Sequence, residues 1–175
     1  MSDSQKGPTS GSGPERDVLT HFDEAGRARM IDLGGKPVTV RSARARCQVL
    51  VSPDTAARLV DGTLPKGDAV AVARIAGIQA AKRTADLIPL CHPVRLDTAD
   101  VDLAVDVTSG VVELRSEARA TDRTGVEMEA LVAASVAALA LYDMVKSVDR
   151  GARITDLRLL EKTGGMRGDW RAPSS

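Results

Sequence analysis

Aromatic side chains are almost missing from this 175-residue chain, which has one Trp, one Tyr and one Phe, 2% in all. Such scarcity excludes a stacking platform for single-stranded nucleic acid, which needs ring faces along its groove. It also leaves the core to Ala, Val, Leu and Ile. Cysteine is nearly absent too: Cys47 and Cys91 supply neither a disulfide framework nor a zinc-ligand spacing, and no metal centre is expected. No sign of charge prevails, because Lys+Arg and Asp+Glu both number 24, which gives bulk polyanion binding no support. Long apolar runs are lacking. The longest, Ala130–Tyr142 broken only by Ser135, has 13 residues, against the roughly 20 that a membrane-spanning helix needs. There is no basic stretch followed by an apolar one of the secretory kind. The expectation is a cytoplasmic protein with neither nucleic acid nor membrane as partner.

What is there suits one α+β domain, large enough to bury its own core. Residues 1–15 (MSDSQKGPTSGSGPE) are rich in Ser, Gly and Pro and are expected to be a disordered tail. The domain itself is expected over 16–162, with a flexible Gly-rich C-terminal tail over 163–175. From Ala43 to Val51 the apolar residues fall on odd positions, the pattern of a half-buried strand. Val38 and Val40 fall on even positions, so a bulge is expected near Arg41. Ser52-Pro53 starts a short helix that Gly62 ends, and Asp68 caps a longer one running to about Leu87. Pro89 and Pro93 impose an extended link.

Val101, Leu103, Val105 and Val107 alternate with polar or small residues, Thr108-Ser109-Gly110 turns the chain, and the return strand points Glu113, Arg115, Glu117 and Arg119 outward. A long Ala-rich helix spans Gly125–Lys146, followed by a strand around Ile154–Leu160. The order predicts a ferredoxin-like βαββαβ plait with an extra helix, its antiparallel sheet covered by helices. Ala-rich faces let helices approach closely, and a homo-oligomer would add buried area.

The long helix carries charge only near its ends: Glu127 and Glu129 at the start, Asp143 and Lys146 at the finish. Thr124-Gly125-Val126-Glu127 fits a capping box, which gives Glu127 a structural role. Glu129 has no such role beyond favouring a helix N-terminus. Asp143 and Lys146, three apart, can pair on one face, either as a solvated ion pair or, in a partly buried neighbourhood, as a proton-transfer couple. Glu129 and Asp143 are 143 − 129 = 14 residues apart, about 21 Å along a helix. If both serve one site, a second subunit must bring one of them. Pro65-Lys66-Gly67-Asp68 sets a lysine at a helix start, an ordinary loop lysine or an anion site built with free N–H groups. Lys162-Thr163-Gly164-Gly165 is no P-loop, because the lysine precedes the glycines. His92, beside Cys91, lacks the further ligands of a metal site.

Five ordered blocks carry a family resemblance: Lys66-Gly67-Asp68, Ala73 to Thr84 (ARIAGIQAAKRT), Leu87 to Pro93 (LIPLCHP), Thr124 to Leu131 (TGVEMEAL) and Tyr142 to Lys146 (YDMVK). They resemble the cyclic pyranopterin monophosphate synthase family, the accessory enzymes (protein C) of early molybdenum cofactor biosynthesis, from about His21 to Asp169. The resemblance implies conversion of (8S)-3′,8-cyclo-7,8-dihydroguanosine 5′-triphosphate into cyclic pyranopterin monophosphate plus pyrophosphate, a lyase reaction. It implies a homohexamer built as a trimer of dimers, with the site near the dimer interface and transient contact with the upstream radical enzyme.

Carried over, Asp143 is the catalytic aspartate, Lys66 and Lys146 are essential lysines, and Leu90, Cys91, His92, Met128 and Glu129 touch substrate. Proton transfers suit Asp143, Lys146 and His92. Phosphate binding suits Lys66, with Arg41 and Lys162 as further candidates. No cofactor is implied, and whether Mg2+ accompanies the phosphates stays open. Val145 departs from the family where a Cys is common, and Ala85 where a larger residue is usual. Composition and fold alone also permit a non-catalytic ferredoxin-like regulator that binds a nucleotide between subunits.

Overall fold

Alternation of small apolar and polar side chains builds the sheet, and Ala-rich helices close one face of it. In the computed structural model the described residues are 26, 27, 29–166 and 168–173. The expected 1–15 tail lies outside them. The chain divides into two units, Met1–Ile31 and Asp32–Ser175, and every element belongs to the second. In order these are β1 (Thr39–Leu50), α1 (Pro53–Asp61), α2 (Ala69–Ala81), α3 (Thr84–Leu87), β2 (Thr98–Asp106), β3 (Val111–Asp122), α4 (Glu127–Val145), β4 (Arg153–Thr163) and β5 (Trp170–Arg171). The sheet order is β2-β3-β1-β4-β5, with every neighbouring pair antiparallel. Without β5 this is the ferredoxin-like plait.

β1 buries Ala43, Ala45, Cys47 and Val49 and turns Arg44, Arg46 and Gln48 away. The bulge expected near Arg41 is absent: β1 pairs with β3 residue for residue from Thr39 to Leu50. Val40 is 68% exposed, and Arg41 takes the inward position instead. The irregularity lies on the other side, where the β1–β4 register shifts between Arg44 and Ala45 and again between Arg46 and Gln48. At the second shift Asp156 adopts φ +48°, a conformation Asp tolerates better than most residues, and its carboxylate pairs with Arg46.

Ser52 caps α1 by accepting from Thr55 N, and Gly62 at φ +68° ends it. Asp68 caps α2, which stops at Ala81 rather than near Leu87. Lys82 and Arg83 form a turn, and α3 is a separate helical turn. α2 and α4 approach closely because Gly77 has no side chain. A Cβ there would lie 2.8 Å from Ala133 O and 2.8 Å from Val101 Cγ2. Ser116 Oγ, buried in β3, donates to Ala130 O at 2.7 Å and ties sheet to helix.

By length and composition α4 is apolar enough to cross a membrane, yet 56% of its apolar window is buried in the fold. That is the condition of a core helix. The tail expected over 163–175 is partly built: Trp170 and Arg171 pair with Lys162 and Glu161 as β5.

Candidate functional site at the two ends of one helix

At the C-terminal end of α4 three charged groups meet. Asp143 Oδ1 lies 2.7 Å from Lys146 Nζ, and its Oδ2 lies 2.9 Å from Lys66 Nζ. Lys66 Nζ also donates to Asp143 O at 2.7 Å. The loop before α2 presents this lysine, with Gly67 at φ +89° turning the chain behind it. The hydrogen bonds from Lys146 and then Lys66 hold the Asp143 carboxyl down to about 2. The Asp143 hydrogen bond in turn pushes the Lys146 ammonium up. The neighbourhood expected to be partly buried is open within one chain, the three side chains being 56%, 52% and 38% exposed. The last turn of α4 still buries Leu141, Met144 and Val145, and Asp143 and Lys146 stand on its exposed side. Lys66, which the sequence allows as an ordinary loop lysine or a helix-start anion site, points at this carboxylate.

At the N-terminal end of α4 the groups are different. The capping box does not form. Val126 occupies the cap position without a side-chain bond, and Glu127 reaches across to Lys162 of β4, Oε1 to Nζ 2.8 Å. Glu129, near the start of the helix, is only 4% exposed. Burial, helped by the nearby charges of Glu127 and Asp122, pushes its carboxyl up to about 7. Burial, and Glu129 beside it, push the Cys91 thiol up as well. The link carrying Leu90, Cys91 and His92 turns after α3, where Cys91 N donates to Ile88 O. Leu90 is exposed, whereas Cys91, His92 and Met128 are half-buried. Arg41, at the start of β1, is buried, and its Nε donates to Asp122 O at a long 3.4 Å.

Apart from Leu90 and His92, the sequence-identified residues therefore fall into two sets. Asp143, Lys146 and Lys66 share the foot of α4. Arg41, Met128, Glu129 and Lys162 surround its head, with Cys91 beside Glu129. The helix between them separates the sets by roughly 21 Å, so the geometry of one chain does not join them. Sequence reasoning missed Asp122 and the Glu127–Lys162 pair, because nothing local marks a contact between a helix start and the end of a strand 35 residues on.

A groove of about 580 Å3 lies elsewhere, with Arg44, Glu117, Arg158, Glu161 and Arg171 among its lining. None of the sequence-identified residues lines it. Its charges belong to a lattice of ion pairs on the outer face of the sheet, such as Arg44 with Glu117 and Glu161. Among the described residues no group of three or more His, Cys, Asp or Glu is placed to hold a metal ion.

Residues 30–165 match the MoaC family. A cyclic pyranopterin monophosphate synthase of Streptomyces avermitilis is 58% identical over 165 residues, 94% of this chain and 95% of that protein. One from Streptomyces coelicolor is 59% identical over 162 residues, 92% and 94% of the two chains. A third, from Chloroflexus aurantiacus, is 54% identical over 155 residues, 89% and 95%. With a match across most of the folded unit and identities of this size over nearly full lengths, the chain belongs to the MoaC family.

Proposed function

We propose that this chain forms cyclic pyranopterin monophosphate, as the names of its relatives say of them, as a step of molybdenum cofactor biosynthesis. The substrate is the 3′,8-cyclised dihydro-GTP and pyrophosphate leaves, which makes the reaction that of a lyase acting in the cytoplasm. The observation that carries this reading is the Asp143 carboxylate held between Lys146 and Lys66. A carboxylate that stays ionised orients two ammonium groups at fixed positions, and these can donate protons or neutralise phosphate charge. Asp143 with Lys146 is the central acid/base pair, Lys66 the phosphate-side cation, and His92 a further proton carrier. Leu90, Cys91, Met128 and Glu129 bind the base and sugar, and Arg41 and Lys162 receive the phosphates.

The complete site lies between two copies, within a homohexamer built as a trimer of dimers. One stripe of α4 supports this. Met128, Leu131, Ser135 and Leu139 follow one another at spacings of three and four residues and lead to Asp143 and Lys146 on the same face. The stripe carries no charge before Asp143, and Leu139 is 58% exposed. On α2, Val72 and Ile75 are exposed too. Antiparallel pairing of two α4 helices across a two-fold axis sets the foot of one against the head of the other, and makes the site twice. Transient contact with the upstream radical enzyme belongs to the same reading.

The test is turnover. Purified protein and the cyclised dihydro-GTP are mixed, and pterin fluorescence after oxidation is followed together with pyrophosphate. Equal yields of both, lost in Lys146→Ala, are expected. A folded protein that binds the substrate without converting it would instead be a nucleotide-binding regulator.

A further inference from the structure

We propose that the glycine turn at the end of β4, Thr163-Gly164-Gly165, positions Arg41, fixing its guanidinium for a phosphoanhydride. The proposal rests on the assignment of Arg41 to the substrate phosphates. Arg41 is 7% exposed and, among the described residues, makes one hydrogen bond, the long one to Asp122 O. Among the described residues no carboxylate lies within ion-pair reach of it. A guanidinium buried to this degree ordinarily has an anionic partner. Here its terminal nitrogens remain available for one from outside.

The turn closes one side of the guanidinium with backbone alone. A Cβ at Gly165 would lie 3.0 Å from Arg41 Cζ and closer still to Nη1. One at Gly164 would lie 3.3 Å from Arg41 Cδ and would collide with Val40 O. Both glycines have positive φ, +84° and +91°, which other residues adopt only under strain. The turn is itself held. Ser42 Oγ and Thr163 Oγ1 are 2.7 Å apart, Gly164 N donates to Asp169 Oδ1 at 2.9 Å, and Gly168 N donates to Gly165 O at 3.1 Å. β5 then anchors the returning chain on β4. Arg41 so packed cannot swing toward the turn, and a planar fork kept in one place suits bidentate capture of phosphate oxygens.

Gly168 supplies the control. It lies in the same loop at φ +72°, but a Cβ added there would meet nothing within 4 Å, so Gly168→Ala strains the loop without touching Arg41. The experiment measures KM, kcat and inhibition by inorganic pyrophosphate. Arg41→Ala is expected to raise KM and the pyrophosphate inhibition constant about tenfold, in line with loss of a charged hydrogen bond. Gly165→Ala does most of the same, and Gly168→Ala leaves both near wild type. Adding Gly165→Ala to Arg41→Ala has no further effect, as expected when one residue acts through another.

Equal effects of the Gly165 and Gly168 variants, or additive effects with Arg41→Ala, would overturn the positioning role while leaving Arg41 a phosphate ligand. Unchanged constants in Arg41→Ala would remove the phosphate assignment, and the proposal with it. Should Gly165→Ala melt early, combining it with Arg41→Lys withdraws Nη1 from the new methyl. Recovery of the melting temperature then identifies the contact as the cause, and no recovery identifies loop strain and overturns the proposal.

Discussion

Lys66 Nζ lies 2.9 Å from Asp143 Oδ2, although 77 residues separate the two in the chain. The same ammonium also bonds the Asp143 carbonyl at the C-terminal end of α4, where a cation complements the helix dipole. Asp143→Asn removes the anchor of both lysines at once. Turnover is expected to fall by about a hundredfold, the scale of a lost acid/base group. The melting temperature should hardly move, because ion pairs this exposed add little stability. The Asp143 carboxyl, held down to about 2, ionises below the usual carboxylate range. Its contribution to stability is present above the unfolded value and is lost only as pH falls toward 2. A kcat measured from pH 5 to 8 therefore shows no limb from Asp143. Near-normal turnover in the Asn variant would remove the pair from the mechanism.

Glu129 titrates in the opposite sense. Burial holds it protonated up to about 7, where an unfolded glutamate ionises near 4.5. Between those values the folded state binds more protons, so its contribution to stability falls as pH rises through the window. Glu129→Gln abolishes this dependence. By urea titration the variant should gain on wild type from pH 4.5 to 7.5, by on the order of 3 kcal/mol at the upper end. A gap that stays constant with pH would mean that Glu129 is ionised in the fold.

Gly77 fixes how closely α2 and α4 approach. Gly77→Ala sets a methyl against Ala133 O and Val101 Cγ2, and overpacking of this kind costs about 1–3 kcal/mol. Thermal melting should show the loss. Unchanged stability would mean that the helices separate without penalty.

A site shared across a two-fold axis makes a prediction that no single-chain site can. Asp143→Asn damages the foot of α4, and Glu129→Ala the head. In a mixed dimer one site receives both lesions and the other none. Unfolding and reassociating equal amounts of the two inactive proteins should restore about a quarter of wild-type turnover, from statistical pairing under two-fold symmetry. No recovery, with mixed oligomers demonstrated by mass, would place all the groups of one site in one chain.

Much of the fold was legible because its rules are local. Alternation marks β1, β2 and β3, and Ser52, Gly62 and Asp68 mark helix ends through single side-chain or backbone preferences. Local rules also mislead. The Thr124–Glu127 spacing satisfies a capping box, but Lys162 competes for Glu127 from a distant strand and wins. Val40 reads as a register slip only because an exposed valine is indistinguishable in sequence from a buried one. β5 leaves no signal, since two residues carry no period. Of the candidate site, the tips of α4 stand out as charges on an apolar rod. The partnership of Lys66 with Asp143 does not, because only the tertiary fold brings that loop to the end of the helix.

The shaft of α4 sets both a distance and an angle between the chemical groups at its tips. Removing one residue between Glu129 and Asp143 would shorten it by about 1.5 Å and rotate one tip against the other by about 100°. In the proposed site shared by two copies, either change would put the foot of one out of line with the head of the other. On that reading, apolar residues along the shaft can be exchanged for others of similar volume, but their number cannot change. The helix would then work as a gauge block, its length as much a part of the chemistry as the charges it carries.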